Sequence, residues 1–359
     1  MREFQRYVFA AASLAVVTLA CASPSYAQQT SEKKETFACA AAPEPVVSLS
    51  IGSRYKEGSS TRSDISDESN DEVNQALEPV EDFINALSGM ANTAYWDEDD
   101  SKANADCVMT WLGAWADGDA LTELNSLNAR LAVSPRLSGL ALAYLQAKSL
   151  ATPDAPRDEK IVAWFAKRGE AVITFFDTEA GPLASTNNLR AWATLATAAI
   201  GTITADEAMQ TWASEGYKML VCGAEDSGAL PAEMERGERA LHYQLHALAP
   251  LVVAITVLDP RGEANEEYCS AKFQAIAEFT FNAVQDPQIV ADLVGVDQVY
   301  LDGNDTDLAP YQLAWAEPYL VRYPNAKLDA YVAPLRPLRY SKLGGDLTAI
   351  YRDADVKPE

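Results

Sequence analysis

Gly228-Ala229-Leu230-Pro231-Ala232-Glu233, followed by Arg239-Ala240-Leu241-His242-Tyr243-Gln244-Leu245-His246-Ala247-Leu248, is the stretch around which the chain is organised. Gly228 and Pro231 punctuate it. Apolar residues then recur at helical spacing from Ala232 to Leu258, which predicts one long helix. Both histidines of the protein lie there, four residues apart and so on one face. Arg239, Tyr243 and His246 follow a three-to-four spacing along a neighbouring stripe. A cation, a phenol and an imidazole arranged in this way can bind a carboxylate and move a proton. The chain offers no imidazole elsewhere near neutral pH.

The same period extends outward in both directions. It runs through Val73 to Met90, Cys107 to Ala116, Leu137 to Leu150, Lys160 to Phe176, Asn187 to Ile200 and Ala205 to Val221. Beyond Leu258 it resumes in Glu266 to Val284, Leu308 to Tyr323 and Gly345 to Tyr351. Many of these segments are rich in alanine, which favours helix and lets helices approach closely. Strand-like alternation is scarce. The pattern predicts an all-α domain of antiparallel hairpins, and it leaves a toroid with a central groove and a solenoid both open. Trp111, Trp115, Trp164, Phe165, Trp315 and Tyr319 sit at helical spacings and are expected in the core.

The start of the chain reads differently. Arg2 and Arg6 precede an apolar run from Val8 to Ala20, and Ser25-Tyr26-Ala27 resembles a small-residue cleavage site. Residues 1–27 are therefore expected to be a signal peptide cut after Ala27, with the mature protein periplasmic or secreted. Thr18-Leu19-Ala20-Cys21 is a weak lipoprotein box. No later apolar run is expected to span a membrane. Residues 28–45 read as a loose N-terminal arm, and 46–359 as a single domain. Within that domain, Gly52-Ser53-Arg54-Tyr55-Lys56-Glu57-Gly58-Ser59-Ser60-Thr61-Arg62 reads as a lid over about residues 52–64. It would bring Arg54, Lys56 and Arg62 over an anionic ligand.

Of the five cysteines, Cys39, Cys107, Cys222 and Cys269 lie beyond the leader, and their spacing alone allows several pairings. The formal net charge is −24, which excludes nucleic acid as a partner. A polyanionic substrate would need a local cationic groove. The acidic runs Asp97-Glu98-Asp99-Asp100 and Asp302 to Asp307 read as solvated loops. The second is similar to a calcium loop but lacks its turn glycine and closing glutamate.

The order of several blocks resembles the alginate lyase family, periplasmic all-α polysaccharide lyases that cut β-1,4-linked polyuronate. Cys107-Val108-Met109-Thr110-Trp111-Leu112-Gly113-Ala114-Trp115-Ala116, Trp164-Phe165-Ala166 and the Gly228 to Leu241 stretch carry the resemblance. So do Ala314-Trp315-Ala316-Glu317-Pro318-Tyr319, Leu343-Gly344-Gly345-Asp346 and Ser53-Arg54-Tyr55. The resemblance implies an (α/α) toroid and a Cys39–Cys107 bridge, which would leave Cys222 with Cys269 as the remaining pair. The family's Asn-Asn-His appears as Asn187-Asn188-Leu189, so the histidine is replaced. Seven residues after Arg239, where the family has a tyrosine, stands His246.

A uronate lyase removes the proton on C5, beside a carboxylate, and expels the oxygen on C4. Neutralising the carboxylate stabilises the enolate-like intermediate. The resemblance implies that Asn188 and Arg239 do this. His246 is then expected as base or acid, with Tyr243 and Tyr55 as helpers. Arg54, Tyr55, Arg62, Arg190, Trp192, His242 and Lys342 are expected to bind substrate. The expected activity is β-elimination on polymannuronate or glucuronan, by a monomer without cofactor or metal. Two alternatives stand beside it: a catalytically impaired oligouronate-binding protein, and a metal site at Glu238, His242 and His246.

Overall fold

The computed structural model describes residues 37–59, 62–96, 99–299 and 308–352. The leader at 1–27 and the acidic run at 302–307 lie outside the described residues. Helix dominates from Asp67 onward: α1 (Asp67–Trp96), α2 (Ser101–Asp117), α3 (Leu127–Ala147), α4 (Ala155–Thr178), α5 (Asn188–Thr204) and α6 (Glu207–Cys222). A short α7 (Pro231–Met234) precedes α8 (Ala240–Leu258). After these come α9 (Ser270–Gln285), α10 (Gln288–Val294), α11 (Ala316–Arg322), α12 (Ala326–Val332) and α13 (Leu347–Arg352). Among the described residues strand is confined to two pairs: β1 (Ser48–Leu49) parallel to β2 (Glu123–Leu124), and β3 (Arg339–Tyr340) antiparallel to β4 (Gly345–Asp346).

The helices begin where the sequence supplies a cap. Ser126, Asp154, Asn187 and Asp206 accept from the backbone N–H of Ala129, Arg157, Leu189 and Met209. Helix α5 is the hub, packed against α3, α4, α6 and α8. Its small residues, Ala191, Ala193, Ala196, Ala198, Ala199 and Gly201, make that possible, because neighbouring helices can come close to its backbone. The six predicted core aromatics are all buried, from Trp115 and Trp315 at 0% exposure to Trp111 at 8%. Both expected disulfides, Cys39–Cys107 and Cys222–Cys269, are present, each with Cα atoms 5.5 Å apart.

Four expectations change. The helix predicted from Ala232 to Leu258 is interrupted: α7 ends at Met234, Gly237–Arg239 forms a 3₁₀ turn, and α8 starts at Ala240. Gly237 causes the break, with φ +56 in the left-handed region that glycine enters without steric penalty. The described part of the N-terminal arm is pinned rather than loose. Cys39 is bridged to Cys107, and the Trp111 and Trp115 indoles donate to the Ala40 and Pro43 carbonyls at 2.9 and 3.1 Å. One later segment, Gly237–Leu258, is long and apolar enough to cross a membrane, contrary to expectation, and 72% of its apolar window is buried inside the protein. Finally, α10 and α12 were not foreseen, both being only seven residues long.

Candidate functional site

The lid is a small hairpin. The Lys56 N–H donates to the Asp64 carbonyl and the Ser66 N–H to the Arg54 carbonyl, both at 2.9 Å, around a Tyr55–Ile65 bridge. Beneath it lies a cavity of about 370 Å³. Arg54, Tyr55 and Arg62 line it from the lid, Asn188 and Leu189 from the start of α5, and Arg236 and Tyr243 from the far side. No aspartate or glutamate lines it among the described residues. That is a strong local departure for a chain with 52 acidic and 28 basic residues.

At its polar end the Tyr55 and Tyr243 hydroxyls share a hydrogen bond. The Arg236 guanidinium lies 3.5 Å above the Tyr243 ring, donates to the Arg62 carbonyl at 2.8 Å, and reaches the Tyr55 hydroxyl at 3.5 Å. Next to it, the buried Glu233 carboxylate accepts from the Asn188 backbone N–H and, at 3.0 Å, from the Asn188 side-chain amide. Burial pushes the Glu233 carboxyl up to about 7, against the opposing pull of these hydrogen bonds and of Arg236. The loop carrying Glu233 is fixed in turn. Gln244 accepts from the Leu230 N–H at 3.0 Å and donates to the Gly228 carbonyl at 3.1 Å. Gly228 itself has φ +95, and a Cβ there would meet the Ala275 carbonyl oxygen at 2.1 Å.

The cavity continues into a groove. Arg54 also lines a second cavity of about 450 Å³ with Arg136, Glu81 and Lys342. Glu81 and Lys342 in turn line a wider cleft of about 1190 Å³ that includes Tyr311, Tyr340 and Arg339. Here the cations have a carboxylate between them: Glu81 pairs with Arg136 and, at 3.0 Å, with Lys342. Burial, with Arg136 nearby, lowers Lys342 to about 8 despite the Glu81 partner.

The structure brings Arg54, Tyr55, Arg62, Asn188 and Tyr243 together, and it puts Lys342 farther along the groove. Other expected site residues lie elsewhere. Arg239 is 1% exposed and donates through Nε to the Ser63 carbonyl at 2.7 Å, so it anchors the base of the lid and does not line the cavity. Arg239 is the residue just before α8, with φ −107 and ψ 14 off the helical path, so it leaves the Tyr243 stripe. Trp192 is fully buried, so it offers no face to a sugar. Its indole N–H donates to His246 Nε2 at 3.0 Å. That bond occupies the His246 lone pair, and burial with the neighbouring cations holds the imidazole well below its usual value. Arg190 points to the opposite side of α5, 3.4 Å over the Trp212 ring and 4.0 Å from Asp177. His242 stacks parallel to His246 with ring centroids 6.0 Å apart. The metal alternative also fails to assemble. Glu238 lies in the 3₁₀ turn rather than on α8, and no group of three His, Cys, Asp or Glu suits an ion among the described residues.

Sequence reasoning missed Arg236, Glu233, Glu81 and Arg136. Two of these had a signal. Glu233 stands inside the quoted stretch, and the lone glycine at 237 inside a helical pattern marks a turn that re-aims its neighbours.

The family model for alginate lyase matches residues 50–290. An alginate lyase of Azotobacter chroococcum is 30% identical, and one of Azotobacter vinelandii 29% identical, each over 93% of this chain and 89% of the relative. Among solved structures, a variant of alginate lyase A1-III from Sphingomonas species A1, complexed with tetrasaccharide, superposes with a TM-score of 0.69. It is 21% identical over 89% of this chain and 86% of that one, which makes the fold the same (α/α) toroid. Family match, relatives and fold agree: the chain belongs to the alginate lyase family of polysaccharide lyases.

Proposed function

We propose that the protein cleaves a β-1,4-linked polyuronate by β-elimination beneath the lid. The observation that carries this reading is the Tyr55–Tyr243 hydroxyl pair under Arg236, in a cavity lined by arginines and, among the described residues, by no acid. Arg236 and the Asn188 amide would neutralise the substrate carboxylate, and Glu233 would hold Asn188 in position.

Tyr243 is the better base than His246, whose Nε2 is already engaged by Trp192. In its ionised form, with Tyr55 donating to it, the Tyr243 oxygen would take the C5 proton. The C5 electron pair forms the C4–C5 double bond, the C4–O bond breaks, and the new Tyr243 hydroxyl gives its proton to the departing oxygen. In β-linked mannuronate and glucuronate the C5 hydrogen and C4 oxygen lie on one face of the ring, so a single group serves both steps. The basic, apolar start of the chain supports export of the enzyme.

The replaced family residues, Leu189 and His246, favour a second reading: an oligouronate-binding protein that has lost catalysis. One experiment separates the two. Ultraviolet absorbance of the unsaturated product is followed on polymannuronate, polyguluronate, glucuronan and hyaluronan, with Tyr243→Phe and Asn188→Ala beside the unaltered protein. Product from one polymer, abolished by both substitutions, is the expected result. Tight oligouronate binding with no product from any polymer overturns the lyase reading.

A further inference from the structure

Arg236 and Arg239 flank a turn that has little of its own to hold it. A Cβ built on Gly237 would meet nothing within 4 Å, so open space lies on that side of the turn. Arg239, just before α8, makes no side-chain cap bond. A guanidinium has no acceptor for the free N–H groups of a first helical turn. The missing groups come from far along the chain. Gly295, at φ +79, ends α10, and the residues after it run back to the turn. The Gln298 side chain accepts from the Leu241 N–H at 2.9 Å and donates to the Gly237 and Val296 carbonyls, each at 3.0 Å. Beside it, the Val299 N–H donates to the Glu238 carbonyl at 2.8 Å. One buried amide thus caps α8 and clips the turn at both ends. The turn in turn carries the site. Arg236 leaves it to lie over Tyr243 and reach the Arg62 carbonyl, and Arg239 leaves it to reach the Ser63 carbonyl.

We infer that Gln298 is a positioning residue of the proposed reaction, setting the place of Arg236 above Tyr243 through the turn at Gly237–Arg239. Gln298 does not line the lid cavity, so its influence on turnover passes through that turn. The residue type fits the task. Aspartate is a common cap and its charge suits a helix N-terminus. A carboxylate here would also place a negative charge at the turn that carries both arginines, and offset their pull on a substrate carboxylate. A neutral amide supplies the acceptor and the donors without that charge. This inference rests on the proposed lyase reading and adds a residue to it.

The test is a double-mutant cycle on steady-state rates with the preferred polymer. Gln298→Met keeps the side-chain length and removes the bonds to Leu241, Gly237 and Val296. Gln298→Glu keeps the acceptor for Leu241, and with it the helix cap, but loses the donors. Each is expected to lower kcat about 10- to 100-fold with KM within about twofold, the scale of a small misplacement of a working group. Near-ultraviolet circular dichroism checks that both variants are folded. In an Arg236→Lys background, Gln298→Met is expected to cost less than about threefold more, because the group it positions has gone. If the Met variant alone misfolds, the Glu variant carries the cycle. An equal factor in both backgrounds, an unchanged kcat, or failure of both variants to fold overturns the inference and leaves the lyase reading standing. Absence of product with the unaltered protein overturns the lyase reading. The same cycle, read in calorimetric affinity for an oligouronate, then decides whether Gln298 acts through Arg236.

Discussion

The lid cavity and the Glu81 cleft are two stretches of one groove, joined through Arg54, and their charges are arranged in opposite ways. Beside Tyr243 no carboxylate lines the wall among the described residues, and Glu233 is turned toward Asn188. In the cleft, Glu81 sits between Arg136 and Lys342. A carboxylate between two cations holds them in place but offsets their pull on a ligand. A cavity without one leaves its field for the substrate and for negative charge developing in a transition state. The first arrangement suits holding a polymer, the second suits chemistry.

The sharpest way to break this comparison is at Tyr243. Tyr243→Phe is expected to lower kcat by about 10²–10⁴ with KM little changed, as for loss of a positioned acid–base group. His246→Ala is expected to cost far less in kcat, since its main partner is the Trp192 indole. The reverse order would return the base to His246. Next comes Arg236→Lys, which keeps a charge and removes the planar fork over the Tyr243 ring. A fall of about 10²–10³ in kcat is expected from steady-state rates on the preferred polymer. Arg239→Lys would instead lower thermal stability more than kcat, because its partner is the lid backbone at Ser63.

Smaller effects sharpen the contrast through pH. Glu233 holds Asn188 best as a carboxylate. With its titration raised to about 7, the carboxyl gains a proton as pH falls through that value and loses acceptor capacity. An acidic limb in kcat/KM near pH 7 is therefore expected, and Glu233→Gln would flatten it at a lower plateau. At the other end, Lys342 loses its charge as pH rises through about 8. KM for the anionic polymer is expected to climb there while kcat holds, and Lys342→Arg, which stays charged, would remove the climb. A rise in KM that survives this substitution would show that the cleft does not bind the polymer.

Much of this was legible beforehand, for identifiable reasons. Helical period, alanine content and the positions of Trp115, Trp164 and Trp315 gave the all-α class and its core, because burying an apolar stripe leaves the same spacing in any helix. Asn188, Tyr243, Arg54 and Arg62 were legible as candidates because the stretches that carry them are local, and they line one cavity. Arg239, Arg190 and Trp192 lie apart from that cavity for a common reason: spacing gives the face of an ideal helix and says nothing of where that helix breaks or what lies opposite it. The turn at Gly237–Arg239 precedes α8, with Arg239 bonded to the lid base and Arg236 over Tyr243.

By itself, then, the sequence determined the helices, the acidic surface and the family's ordered blocks, all of which depend on residue type and near neighbours. Only the tertiary structure decided which arginine faces the cavity and that His246 is engaged by Trp192. Each of these depends on contacts between residues far apart in the chain, such as Tyr55 with Tyr243 and Glu233 with Asn188, and packing alone selects such contacts.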